Sequence, residues 1–237
     1  MRHYGVIGYP LEHSLSALFF NRKFATEKID AEFTLYPVAP DEQARIPELI
    51  ARLDGLTVTA PYKETVIPYL KRLDSTAATI GAVNVIYQGI GYNTDYIGFM
   101  NSLRPLLRPW DKQALVLGTG GAAKAVSYGL QQLGITPTPV SRSPKAGMLS
   151  YADLTEEVME THTIIVNCTP LGMLPDVDSC PAIPYERLTA RHFLYDCVYN
   201  PEESLFLRKG KAQGATIRNG MEMLIGQAKA AWEIWKQ

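Results

Sequence analysis

Short apolar runs alternate with helix-patterned stretches along almost the whole chain, and this alternation most restricts how it can fold. Strands separated by helices read as βαβ units, in which helices cover a largely parallel sheet. The runs "ALVLG" (114–118) and "TIIV" (163–166) are almost wholly apolar, as strands covered on both faces must be. In the first half the spacing predicts strands at "YGVIG", "EFTLYPV" and "LTVTA". It predicts a helix carrying Leu18, Phe19, Phe24 and Ile29 and capped by Ser14 or Ser16, and further helices at "DEQARIPELIARL" and "KETVIPYLKRL". Pro68 should bend or shorten the last of these. "VNVIYQGIGYNT" predicts two strands joined by a tight glycine turn. From "DYIGFMNSLRPLL" the rhythm restarts, which places a domain boundary near residue 100. Strands follow at "QALVLG", "TPTPVSR", "HTIIVNCT", "HFLYDCVY" and "ATIRN", with helices at "GAAKAVSYGLQQLG", "ESLFLRKGKAQG" and "MEMLIGQAKAAWEIWK". The fold class expected is α/β.

"LVLGTGGAAKA" (115–125) is the sharpest local motif: an apolar strand runs into Gly118, Thr119, Gly120 and Gly121, and a helix starts directly after. Such glycines permit a tight turn and bring backbone N–H groups at a helix N-terminus close to a diphosphate. Ala123 keeps the last small residue of the fingerprint, so helix and strand can pack closely. A chain that reads NAD usually ends the next strand with a carboxylate for the ribose 2′-hydroxyl. Here the stretch is "PVSRSPKA", so Ser141, Arg142, Ser143 and Lys145 stand there. A guanidinium can pair with a 2′-phosphate that a carboxylate would repel, so the cofactor expected is NADP.

Charge narrows the partners. The 23 basic and 24 acidic residues are intermixed and leave a net charge of −1, so neither a nucleic acid nor a membrane surface is expected. The opening "MRHYGVIGYPLEH" lacks an apolar core of signal-peptide length. Three cysteines, Cys168, Cys180 and Cys197, are odd in number and lack CxxC spacing, so they read as buried reduced thiols in a cytoplasmic protein. Four scattered histidines without an HxxxH pair give no expectation of a metal.

Lys63 follows the strand "LTVTA" almost at once, with Pro61 ending the ladder. A lysine there either faces solvent or faces a ligand at the carboxyl edge of the sheet. Three other stretches put small polar groups at strand ends: "GYPLEHSLSALFFN", "GAVNVI" and "GYNTDYIGF". Together with "LTVTAPYKE", the glycine turn, "SRSPKA", "NCTPLGM", "YDCVYNP" and "NGMEMLIGQA", they resemble the shikimate dehydrogenase family over nearly the whole chain. Two positions depart from its pattern: Thr57 stands for an asparagine and Val85 for a threonine. Thr57 points away from Val58 and is expected to share the side of Thr59.

The resemblance implies an N-terminal α/β substrate-binding domain (1–100) and a C-terminal Rossmann NADP-binding domain (101–219), with the last helix (220–237) returning to the first. It implies that Ser14 and Ser16 hold the substrate carboxylate, and that Thr59, Asn84, Asp95, Tyr199 and Gln227 contact ring hydroxyls and carboxylate. Lys63 and Asp95 would be the catalytic pair, with His13 ordering the serine loop. Ala122, Thr169 and Gly220 would join the cofactor site. Plainer roles compete: helix capping for Ser14, Ser16 and Asp95, and a solvated helix face for Gln227. The chemistry can be argued without the family, because reducing a ketone needs a hydride donor and a proton for the developing alkoxide. A lysine held by a carboxylate supplies that proton and stabilises the charge.

The activity implied is the reversible, NADP-dependent reduction of 3-dehydroshikimate to shikimate, feeding chorismate and the aromatic amino acids, by a monomer or homodimer. A paralogue that also takes quinate or prefers NAD, and a non-catalytic NADP-binding sensor of the same fold, are the alternatives. A methylenetetrahydrofolate dehydrogenase is disfavoured by the serine pair, the terminal glutamine and the lysine–aspartate spacing.

Overall fold

The computed structural model describes residues 1–11 and 14–237. The chain divides into two compact units, one formed by Met1–Gly98 with Leu224–Gln237, the other by Phe99–Met223.

In the first unit, β1 (Arg2–Gly8) leads to α1 (Leu15–Glu27), then β2 (Ala31–Pro37), α2 (Ile46–Arg52) and β3 (Gly55–Val58). The single turn α3 (Tyr62–Thr65) precedes β4 (Arg72–Leu73), α4 (Ser75–Ile80), β5 (Val85–Tyr87) and β6 (Ile90–Tyr92). The sheet order is β2-β1-β3-β5-β6-β4. β1 runs parallel to β2 and β3, whereas β5 runs antiparallel to β3 and β6. β6 therefore points the same way as β3, and the carboxyl ends of β1, β3 and β6 share one edge with the amino end of β5.

Side chains alternate across this sheet into two cores. Ile7, Leu56, Val58 and Ile86 pack with Ile46, Leu49 and Tyr62 on one face. Tyr4, Val6, Phe33 and Val85 pack with Phe20, Phe24, Trp232 and Trp235 on the other. The second face is closed by the last helix, α9 (Met221–Trp235). The Trp235 ring stacks on Tyr4 at 4.9 Å, and its Nε1 donates to the Ile86 carbonyl at 3.2 Å. Gly55 makes room for it, since a Cβ there would lie 2.6 Å from that nitrogen.

α5 (Asp95–Leu103) begins in the first unit; in the second, which starts at Phe99, β7 (Gln113–Leu117), α6 (Gly121–Gln132), β8 (Thr136–Val140), α7 (Glu156–Thr161) and β9 (Ile164–Asn167) follow. β10 (Phe193–Asp196), α8 (Leu205–Ala212) and β11 (Thr216–Arg218) complete it. The sheet is parallel throughout, in the order β11-β10-β9-β7-β8. Apolar cores lie on both faces, Val116, Val166 and Tyr195 on one, Leu115, Leu117 and Leu194 on the other. The strand order reverses between β7 and β9, and such a switch point is where open α/β sheets bind ligands.

Several sequence expectations need correction. "KETVIPYLKRL" is not one helix: α3 ends at Thr65, Ile67–Tyr69 form a 3₁₀ turn around Pro68, and Arg72–Leu73 become β4. "DEQAR" winds as 3₁₀ helix before α2. Leu18 faces solvent at 66% exposure and Ile29 lies past the end of α1, so Phe20 and Phe24 form its buried face. β3 stops at Val58, short of Thr59 and Ala60, and α4 and α7 were not anticipated. The cysteines are thiols but half-buried rather than buried. Thr57 is buried in the sheet, where its hydroxyl donates to the Gly5 carbonyl at 3.2 Å.

Candidate active site

In the first unit the shared sheet edge gathers residues distant in sequence. β3 ends when the Thr59 N–H bonds the Ile7 carbonyl at 2.9 Å, and the chain turns into α3. Tyr62 anchors that turn: it is buried, with its hydroxyl donating to the Val38 carbonyl at 2.5 Å. Lys63, next along, directs its Nζ to Asp95 Oδ2 at 2.6 Å, with side-chain exposures of 17% and 7%.

Asp95 opens α5 directly after β6, yet it is not spent on capping. Its N–H is taken by Asn93 Oδ1 at 3.1 Å, leaving the carboxylate for Lys63 and, through Oδ1, for Asn84 Nδ2 at 3.0 Å. Asn84 stands just before β5. Its Oδ1 accepts from the Thr94 N–H at 2.6 Å, which fixes which end of the amide is which. Its Nδ2 then has Asp95 Oδ1, Thr94 Oγ1 at 3.0 Å and Gln227 Oε1 at 3.2 Å within reach, three acceptors for two hydrogens. Gln227, on α9, is itself pinned by donating to the Leu224 carbonyl at 3.0 Å. Lys63, Asn84, Asp95 and Gln227 thus form one connected group.

Ser14 and Ser16 stand on the same edge, at the start of α1. Ser14 is its N-cap, with Oγ accepting from the Ser16 N–H at 3.2 Å. Thr59 is half-buried against Gly8, where a Cβ would meet its methyl at 2.3 Å. His13 lies outside the described residues. Val85 is wholly buried in the aromatic core.

In the second unit, β7 turns at Gly118, whose φ of 109° suits glycine alone and whose missing Cβ would lie 3.3 Å from the Cys168 carbonyl oxygen. Gly120 is the N-cap of α6 and offers no side chain, so the first-turn N–H groups of Gly121, Ala122 and Ala123 have no side-chain cap. Space around Gly120 is open to at least 4 Å. Those donors, the helix dipole and the exposed Thr119 suit a diphosphate.

β8 ends on the same edge, and Ser141 follows it, with Oγ accepting from the Ser143 N–H at 3.1 Å. Arg142, Ser143 and Lys145 are exposed there, and neither cation has a carboxylate partner among the described residues. These groups could hold the adenosine phosphate of a dinucleotide.

A buried polar network braces the remaining strand ends of this unit. Asn167 Oδ1 accepts from the N–H of Thr169 at 3.0 Å and from its hydroxyl at 2.6 Å, while Nδ2 donates to Asp196 Oδ1 at 3.0 Å. Asp196 also accepts from the Val198 N–H at 2.9 Å and from Ser204 Oγ at 2.5 Å. Asn167, Asp196 and Ser204 are completely buried. Burial pushes the Asp196 carboxyl up to about 6, against the opposing pull of its three hydrogen bonds. Tyr199 follows this brace, half-buried, with burial raising its phenol. Gly220, past β11, lies so close to the Cys197 carbonyl oxygen that a Cβ would come within 2.3 Å. Sequence reasoning missed Asn167, Asp196 and Thr94. The signal was present in "IIVN" and "FLYD", apolar strands that end on a polar residue too deep to be solvated.

The family profile of the shikimate dehydrogenase substrate binding domain matches residues 6–86. The shikimate dehydrogenase (NADP(+)) of Clostridium beijerinckii is 39% identical, over 100% of this chain and 93% of its own. That of Desulforamulus reducens is 35% identical over 98% and 88%. The crystal structure of the Thermus thermophilus shikimate 5-dehydrogenase in complex with NADP(H) and shikimate superposes with a TM-score of 0.87. It is 29% identical and covers 99% of this chain and 93% of that one.

Proposed function

The chain belongs to the shikimate dehydrogenase family, and we infer that it catalyses the reversible, NADP-dependent reduction of 3-dehydroshikimate to shikimate. The observation that carries this reading is the Lys63–Asp95 ion pair, built into the Asn84–Gln227 network at one sheet edge.

NADPH, when bound, supplies the hydride. Lys63 Nζ donates the proton that the developing alkoxide needs, and its charge stabilises that oxygen before the proton moves. Asp95 holds the ammonium in one place. Asn84, held by Thr94, fixes the second carboxylate oxygen of Asp95 and presents its amide to the substrate ring. Gln227 adds a contact from α9. Ser14 and Ser16 receive the substrate carboxylate at a helix N-terminus, where negative charge is favoured. Thr59 contacts the ring. Gly118–Ala122 receive the diphosphate, Ser141–Ser143 and Lys145 the 2′-phosphate, and Thr169 and Gly220 line the cofactor from the neighbouring strand ends.

We place the protein in the cytoplasm, as a monomer or homodimer. Three unbridged thiols accord with a reducing compartment. Steady-state absorbance assays with shikimate and quinate, each against NADP and NAD, test the assignment. Turnover with shikimate and NADP well above the other pairs supports it, and no turnover with any pair contradicts it.

A further inference from the structure

Cys168 and Cys197 stand one residue beyond Asn167 and Asp196, the last register pair of the parallel strands β9 and β10. Both side chains fall on the face that carries Val166 and Tyr195, and their sulfurs lie 3.7 Å apart. Neighbouring strands are separated by roughly 4.8 Å, inside the span of about 4.4–6.8 Å that a disulfide bridges between Cα atoms. Both cysteines are half-buried rather than sealed in the core.

Their backbones are tied to the cofactor turn. The Cys168 carbonyl oxygen packs on Gly118 and the Cys197 carbonyl oxygen on Gly220, each at a distance that leaves no room for a Cβ without a shift. Cys168 also precedes Thr169, which Asn167 holds by two hydrogen bonds. Drawing the sulfurs together to the bond length of about 2.05 Å takes up roughly 1.7 Å, and part of that movement passes into these carbonyls. The third thiol, Cys180, lies elsewhere, with Lys209 Nζ 3.4 Å from its sulfur.

We propose that Cys168 and Cys197 form a dithiol redox site that closes to an intramolecular disulfide with a disulfide oxidant such as oxidised glutathione, and that closure weakens NADP binding. One thiolate attacks the glutathione disulfide and expels one glutathione thiolate; the second attacks the resulting mixed disulfide and expels the other. One S–S bond forms and one breaks, the cysteines lose two electrons to the glutathione pair, and their two protons pass to the released thiolates. The dependence on NADP rests on the cofactor site proposed above, whereas disulfide formation does not.

The test equilibrates the whole protein in glutathione buffers of rising oxidised fraction, then counts thiols, measures intact mass and titrates NADP. The wild type should fall from three thiols to one, lose two hydrogens, retain no glutathione, and bind NADP on the order of tenfold more weakly, in keeping with the sensitivity of sites to ångström-scale displacement. Dithiothreitol should restore it. Cys180→Ser should fall from two thiols to none with the same loss of NADP affinity, and Cys197→Ser and Cys168→Ser should form no internal disulfide. Persistence of all three wild-type thiols, a stable glutathione adduct, or a cross-linked dimer overturns the dithiol site, as does a disulfide that leaves NADP affinity unchanged for its coupling. If reduced wild type binds no NADP, the cofactor reading fails while the thiol count still decides the disulfide.

Discussion

Asn84 and Gln227 stand 143 residues apart in sequence and meet at 3.2 Å, amide hydrogen to carbonyl oxygen. The last helix therefore contributes a polar group to a network built by strand ends of the first unit. Gln227→Ala removes one acceptor while Asn84 keeps Asp95 and Thr94, so the fold should survive. The lost substrate contact is worth about 0.5–1.5 kcal/mol, which is a few-fold to roughly tenfold in kcat/KM. Steady-state kinetics beside a thermal melt would show it, and an unchanged kcat/KM would place Gln227 outside the substrate site.

Ser14→Ala combined with Ser16→Ala should raise KM for shikimate more than it lowers kcat. A carboxylate remote from the reacting carbon is held about equally in ground and transition states. Ser14 also caps α1, so a stability loss of about 1 kcal/mol accompanies the change. A fall in kcat at constant KM would contradict this placing.

Arg142→Ala should weaken NADP by about 1.5–3 kcal/mol, roughly ten- to a hundredfold, through loss of a charge-assisted contact. NAD lacks the phosphate and should bind almost as before. Because Arg142 is exposed, the discrimination should shrink as salt rises. Ser141→Asp should add repulsion against NADP alone. Titrations of both cofactors at two salt concentrations decide it: equal losses for the two would give Arg142 a purely structural role.

Asp196 carries a pH-dependent cost. Its carboxyl is raised to about 6 in the fold, above the ordinary value near 3.8, so its contribution to stability is fully present below the unfolded value. It is lost as pH rises through about 6, when a buried charge has to form. The facing groups are the Asn167 amide, the Val198 N–H and the Ser204 hydroxyl. Relative to Asp196→Asn, the wild type should lose on the order of 3 kcal/mol of unfolding free energy between about pH 4 and pH 7. Denaturant titrations of both proteins across that range check the sign. A difference that does not vary with pH would show that the carboxyl titrates normally.

The strand–glycine–helix turn and the βαβ rhythm were legible because apolar periodicity and glycine placement are local signals. Lys63 and Asp95 could be set at strand ends, yet their 2.6 Å contact depends on β5 running antiparallel between β3 and β6, which no local pattern states. β4 was hidden because two residues pair with β6 only once Pro68 has broken the helix. For Thr57, alternation gives a face but not the Gly5 carbonyl on the adjacent strand that takes its hydroxyl. The Asn167–Asp196–Ser204 brace joins three segments and leaves no periodic trace.

The most direct test is the turnover of Lys63→Ala, with Asp95→Asn alongside. If Lys63 delivers the proton and Asp95 holds it there, each variant should lose on the order of a hundredfold or more in kcat. Thermal melting should show each still folded, and NADP affinity should match wild type, since the cofactor residues belong to the other unit. A folded, NADP-binding Lys63→Ala protein that turns over 3-dehydroshikimate at nearly the wild-type rate would contradict the account.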